Sequence, residues 1–114
     1  MSALASGVRR VDVASVFAAL GEATRLRLVT RLSDDGPLSI ARLSDGAGVT
    51  RQAVTKHLKA LAHAGVVRGT RRGRERIWEL RPKRLEMASR YLDEVSGQWD
   101  AAIERLRAFL EDKS

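Results

Sequence analysis

The sequence predicts a mainly helical single domain over residues 1–114 with one small β-hairpin, in the order α-α-α-α-β-β-α. Three observations carry that prediction. Apolar residues recur at three- and four-residue steps in successive segments between positions 11 and 64. The period shortens over 66–80, where the β-prone runs Val66-Val67 and Ile77-Trp78-Glu79-Leu80 flank Gly69-Thr70-Arg71-Arg72-Gly73-Arg74. Helical spacing returns at Pro82, which suits a first helical turn, and continues to about Asp112. A chain of 114 residues fills one core and not two. With 44% hydrophobic but only 4% aromatic residues, that core is expected to be Leu, Val and Ala packed between helices.

Each element has its own justification. Residues 1–10 are small and polar and are expected to be flexible. Val13, Val16, Phe17 and Leu20 mark a first helix from Val11, stopped by Gly21. A second helix buries Leu26, Leu28, Val29 and Leu32 and leaves Arg25, Arg27 and Arg31 outside; Asp34-Asp35-Gly36-Pro37 ends it. Ser39 is placed to N-cap a short helix carrying Ile40, Ala41 and Leu43, which the Gly46-Ala47-Gly48 stretch terminates. Thr50 caps the next helix, whose Ala53, Val54, Leu58, Leu61 and Ala62 form an inward stripe closed by Gly65.

The formal charge of +7 is not evenly spread. Residues 1–47 carry six basic and five acidic side chains, residues 48–84 eleven and two, and residues 85–114 four and seven: net +1, +9 and −3. A polyanionic partner is therefore expected at the middle third. The absence of Cys excludes disulfide scaffolds, Cys-ligated zinc, Fe–S clusters and thiol chemistry. No apolar run reaches the roughly 18–20 residues of a membrane span and no signal-peptide pattern opens the sequence, so the expectation is a soluble cytoplasmic protein, nucleoid-associated when bound to DNA. No nucleophile motif or cleft-forming carboxylate pair argues for an enzyme.

Residues 39–64 describe two short helices joined by a Gly-containing turn, a helix-turn-helix. Its second helix must hold an apolar face against the domain and offer hydrogen-bond donors on the other. Arg51, Gln52, Thr55, Lys56 and Lys59 point away from the Val54, Leu58 and Leu61 stripe and meet that demand. Arg pairs bidentately with guanine and Gln with adenine, whereas Thr, Lys and helix N-termini suit phosphate. The N-cap hydroxyls of Ser39 and Thr50 join this DNA-contacting set. The hairpin over 66–80 acts as a wing, with Arg71, Arg72, Arg74 and Arg76 along a backbone or in a minor groove. The expected partner is double-stranded DNA, with a sequence-independent architectural binder as the alternative to a sequence-specific regulator.

On these residues the chain resembles the ArsR/SmtB family of bacterial winged helix-turn-helix repressors. The stretch from Phe17 to Leu28, with Ala19-Leu20-Gly21-Glu22-Ala23-Thr24-Arg25, is similar to the family's opening "ALxDxTRxxIL" pattern. The stretch from Gln52 to Val67, with His57-Leu58-Lys59-Ala60-Leu61-Ala62-His63-Ala64-Gly65-Val66-Val67, is similar to its "SxHLxxLxxAGLV" pattern. The resemblance covers about residues 11–110 and implies a homodimer that reads an inverted repeat near a promoter and blocks transcription. It also implies a structural role for His57; His63 is read separately as a surface residue. Metal-sensing members carry Cys on the helix matching Ile40–Asp45 or Asp, His and Glu on the last helix. Here Cys is absent, residues 82–114 have no His, and Asp93, Glu94 and Glu104 alone make no transition-metal site. No metal or other cofactor is expected.

The last helix, 82–112, is read as the dimerisation helix. Leu85, Ala88, Leu92, Val95, Trp99, Ala102, Leu106 and Phe109 alternate three- and four-residue steps as an a/d seam, which asks for a partner helix. Tyr91, Ile103 and Leu110 broaden it, so a mixed role is expected, with part of the stripe facing its own domain. Val13, Val16 and Phe17 of the first helix are assigned to the same interface, with Trp99 as its anchor. The sequence names no effector: a small molecule in a dimer-interface pocket, a partner protein and the protein's own concentration all stay open.

Overall fold

The computed structural model describes the backbone of residues 3–113 and the side chains of residues 12–112. Of the start expected to be flexible, residues 1–2 lie outside the described residues. The elements run α1 (Ala3–Leu20), α2 (Ala23–Asp35), β1 (Leu38–Ser39), α3 (Ile40–Ser44), α4 (Arg51–His63), β2 (Val67–Arg72), β3 (Glu75–Leu80) and α5 (Pro82–Lys113). The first helix thus starts at Ala3 rather than near Val11, in a stretch where Ala3 and Ala5 have high helix propensity.

Side-chain caps set the corners. Glu22 Oε2 accepts from the Arg25 amide at 3.0 Å to open α2, and Arg25 Nε donates to the Ala19 carbonyl at 2.8 Å, satisfying an end of α1. Ser39 Oγ and Thr50 Oγ1 accept from the Arg42 and Ala53 amides, opening α3 and α4. Gly36 closes α2 at φ +77°, in the left-handed region that glycine enters without a Cβ clash.

The sheet has three strands rather than a bare hairpin. Its order is β1-β3-β2, all antiparallel, with Leu38 opposite Trp78 and Ser39 opposite Ile77. Two-residue β1 covers the free edge of β3, which would otherwise present unpaired backbone groups. The hairpin pairs Val67 with Leu80 through Arg72 with Glu75, leaving Gly73-Arg74 as its loop. Gly73 has φ +63° while, among the described residues, positive φ is confined to glycine, so Arg74 has negative φ, the pattern of a type II′ turn.

The core gathers Val16, Leu28, Leu32, Leu43, Val54, Leu58, Leu61, Val66 and Val67 from all layers. It contains one aromatic, Trp78 of β3, so it is not purely aliphatic. Leu26, expected inside, is 50% exposed because two helical residues turn it about 200° from Leu28. Val13 and Val16, assigned to a dimer interface, face this chain's own core instead; Val16 is 0% exposed. They lie on the side of α1 that packs inward, leaving nothing for a partner to touch.

The radius of gyration, 19.1 Å, exceeds the roughly 13 Å of a compact chain this long. The excess comes from α5, whose 32 residues span about 48 Å. Among the described residues, no helix is long and apolar enough to cross a membrane.

Candidate nucleic-acid interface

Helix α4 turns Val54, Leu58 and Leu61 into the core. At about 100° per residue, Gln52, Lys56, Lys59 and His63 then fall in one line on the opposite side, and all four are exposed. Arg51 is exposed too, at the flank of this stripe. Half-buried Thr55 donates its hydroxyl to the Arg51 carbonyl at 3.0 Å, bonding back along the helix while its oxygen can still accept. Thr50 is exposed at the N-terminus with its oxygen on the Ala53 amide. His63, expected at the surface but left out of the DNA-contacting set, falls on this stripe, four residues from Lys59 and seven from Lys56.

Ser39 does not fit the set to which it was assigned. It is 9% exposed, its oxygen caps α3, and its backbone pairs with Ile77. A hydroxyl used and covered in this way has no free surface for phosphate.

Cross-strand register sorts the wing arginines onto two faces. Arg71 and Arg76 are paired on the face of Trp78, whereas Arg72 lies with Arg68 on the other and Arg74 occupies the turn. Arg76 stacks over the Trp78 ring at 5.1 Å, and its side chain crosses Gly69, where a Cβ would meet Arg76 Nε at 2.7 Å. Arg68 is neutralised by Glu79, Nε to Oε1 at 2.7 Å. Among the described residues Arg51, Lys56, Lys59, Arg71, Arg72 and Arg74 form no ion pair. Their charge is available to a polyanion.

Two arginines of α2 position the connection between α3 and α4. Arg27 Nη1 donates to the Ala47 carbonyl at 3.4 Å and Arg31 Nη1 to the Asp45 carbonyl at 2.9 Å. They satisfy backbone acceptors in a loop that turns at Gly46 and Gly48, φ +72° and +74°. Their i,i+4 spacing was visible in sequence, but their targets were not. Glu22 faces α4 from the start of α2, with Oε2 3.6 Å from His57 Nδ1. The Arg25 amide, assisted by the Thr24 amide and by His57 and Arg25 charge, holds the Glu22 carboxyl below its ordinary range against an opposing effect of burial.

A helix-turn-helix domain family matches residues 20–70. The chain is 37% identical over 69 residues to the HTH-type transcriptional regulator NmtR of Mycobacterium tuberculosis, covering 60% of this chain and 57% of NmtR, so it spans little over half of that relative. The solved ArsR-like transcriptional regulator from Rhodococcus sp. RHA1 superposes with a TM-score of 0.76 at 32% identity, over 88% of this chain and 93% of that one. The chain belongs to the ArsR family. The family's members are helix-turn-helix transcriptional regulators, not enzymes. The homodimeric winged helix-turn-helix domain Mb0332 of Mycobacterium bovis shares the fold at TM-score 0.64 and 22% identity, over 92% of this chain and 93% of that one.

In this ArsR-family chain α1 and α5 lie side by side and run the same way. Asp12 Oδ1 is 3.6 Å from Arg84 Nη1, and farther along both helices Phe17 meets Tyr91 with ring centroids 6.3 Å apart. Helix α1 ends at Leu20 while α5 continues to Lys113. Leu85 and Ala88 therefore pack on the chain's own core, Val95 and Ala102 are half-buried, and Leu92, Trp99 and Leu106 are exposed. Trp99, at 66%, is the most exposed of the large apolar side chains among the described residues. No group of three or more His, Cys, Asp or Glu among the described residues could hold a metal ion.

Proposed function

We propose that this protein is a sequence-specific transcriptional repressor that binds an inverted-repeat operator as a homodimer, acting on chromosomal DNA in the cytoplasm. The observation that carries the proposal is the outward stripe of α4 beside a wing whose arginines at 71, 72 and 74 form no ion pair among the described residues. The helix presents donors that match base edges, Arg51 for guanine and Gln52 for adenine, while Thr50, Lys56 and Lys59 suit phosphate contacts. The wing adds charge without base discrimination. Binding over a promoter excludes the transcription machinery.

A second copy supplies what α5 lacks. The seam of Leu92, Trp99 and Leu106 is exposed among the described residues, and Mb0332, which shares the fold, is homodimeric. An isologous pairing of that face with Phe17, Val95 and Ala102 at its edges duplicates the basic surface. Two recognition helices about 34 Å apart then meet successive turns of one DNA face. The acidic 85–114 segment, net −3 from four basic and seven acidic residues, keeps the dimer element from adding to the positive field.

Selection of bound duplexes from a randomised pool tests the proposal. Enrichment of an inverted repeat is expected, with Arg51→Ala or Gln52→Ala costing about 1–3 kcal/mol on it and changing the preferred base. A pool that emerges without a consensus would leave an architectural binder, and a consensus unchanged in both variants would remove α4 as the reading helix.

A further inference from the structure

The α4–β2 turn, α1 and the first turn of α5 enclose a cleft of about 240 Å³, lined by Asp12, Gly65, Arg81, Lys83, Arg84 and Met87. Three cations and one carboxylate leave its walls with an excess of positive charge. Arg84 is already engaged: its Nη1 donates to the Ala64 carbonyl at 3.2 Å and stands 3.6 Å from Asp12 Oδ1. Its stem lies over Gly65, where a Cβ would meet Arg84 Cδ at 2.7 Å. Arg81 and Lys83 are exposed and form no ion pair among the described residues. Both border the start of α5, whose first turn carries no acidic side chain, so Lys83 and Arg84 oppose the helix dipole instead of complementing it. Local arrangements of that kind persist at functional sites, where a ligand offsets them.

We infer that this cleft is a binding site for a small free oxyanion of the phosphate class. The charge left after Asp12 is counted against Arg84 is that of Arg81 and Lys83, which matches a phosphate dianion. Arg81 offers a planar fork for two of its oxygens and Lys83 a point charge for a third. The cleft lies at the ends of α4 and of the hairpin opposite the proposed base-reading pair Arg51 and Gln52 and the wing tip. Gly65 follows the C-terminus of α4, about 20 Å along the helix from its Thr50 cap. Arg81 follows the last residue of β3, about 20 Å along the strands from the Gly73-Arg74 tip. An anion here acts on Arg84, which joins the end of the recognition helix to α1 and α5. That consequence rests on the repressor reading; the site itself does not.

Titration of the full chain with inorganic phosphate at constant ionic strength, followed by amide NMR shifts, tests the site without DNA. Saturable shifts are expected at Gly65, Lys83 and Met87. The double variant Arg81→Gln/Lys83→Gln, confined to exposed side chains, should weaken the midpoint by about tenfold or more, and Arg71→Gln/Arg72→Gln in the wing should leave it in place. Shifts that rise without saturation, or that persist unchanged in Arg81→Gln/Lys83→Gln, overturn the proposal as general screening. Anisotropy with a random-sequence duplex separates the phosphate sources: Arg81→Gln/Lys83→Gln should keep the wild-type salt dependence. A salt slope lowered as the wing variants lower it would assign the cleft to the DNA backbone and overturn a free-anion site.

Discussion

Replacing Arg74 with Ala isolates the electrostatic part of DNA binding. Arg74 sits in the two-residue loop of the hairpin, exposed and without an ion pair among the described residues, so its loss should change folding stability by no more than about 0.5 kcal/mol. In the proposed dimer each substitution occurs twice. If both side chains neutralise a phosphate, the slope of log K against log salt should flatten by about 1.8, at about 0.9 per contact. Between about 50 and 200 mM salt the wild type's advantage over Arg74→Ala should then shrink about twelvefold. Fluorescence anisotropy across that range, on an operator and on random duplex, measures both quantities. The loss should be the same on the two duplexes. Parallel salt lines for wild type and variant would refute phosphate contact, and a loss confined to the operator would make Arg74 a base-reading residue.

The α5 seam can be tested by charge: Trp99→Asp or Leu92→Asp should yield folded monomers in sedimentation, whereas Val16→Asp should unfold the chain, since Val16 is fully buried. Folded dimers in both seam variants would place the interface elsewhere. Two glycines should respond oppositely to Ala. Gly65→Ala, at φ +79° and against Arg84, should cost about 1–2 kcal/mol in urea unfolding. Gly97→Ala, with open space in α5, should gain about 0.4–1 kcal/mol. The lowered Glu22 carboxyl predicts stability that is present above the ordinary carboxylate range and lost as pH falls through its depressed value. Glu22→Gln should therefore lower the urea midpoint at about pH 7 and converge on the wild type at about pH 2; a constant gap would show that the cap's charge contributes nothing.

Much of the architecture was legible because its elements are periodic and punctuated. Val54, Leu58 and Leu61 define the inward face of α4 by spacing alone, and the same spacing puts Gln52, Lys56 and Lys59 outside. Glycine and register account for the hairpin in the same way. What failed were inferences about neighbours. Leu38-Ser39 is too short to show alternation, and only the proximity of β3's open edge makes it a strand. Ser39 was correctly placed as a cap, yet its burial depends on the sheet above it. Val13 and Val16 share helical spacing with Phe17, and spacing does not say which partner lies opposite: Val16 joins the chain's own core, Val13 is buried as well, and Phe17 packs at the core's edge against Tyr91. Arg27 and Arg31 looked like solvated charge until the loop after α3 folded against them.

Composition and order by themselves determined that this chain is a small helical domain with a concentrated basic segment, no thiol chemistry and a long apolar stripe at its end. Those properties are local: charge, periodicity and chain-breaking residues are carried by each residue and its near neighbours. Tertiary structure decided which charges remain free, since Arg68 is spent on Glu79 and Arg84 on Ala64 and Asp12 while Arg71, Arg72 and Arg74 are not. It also decided where the apolar stripe of α5 stops being core. The stripe is continuous in sequence, but α1 ends at Leu20, and a helix face is buried only as far as another surface accompanies it.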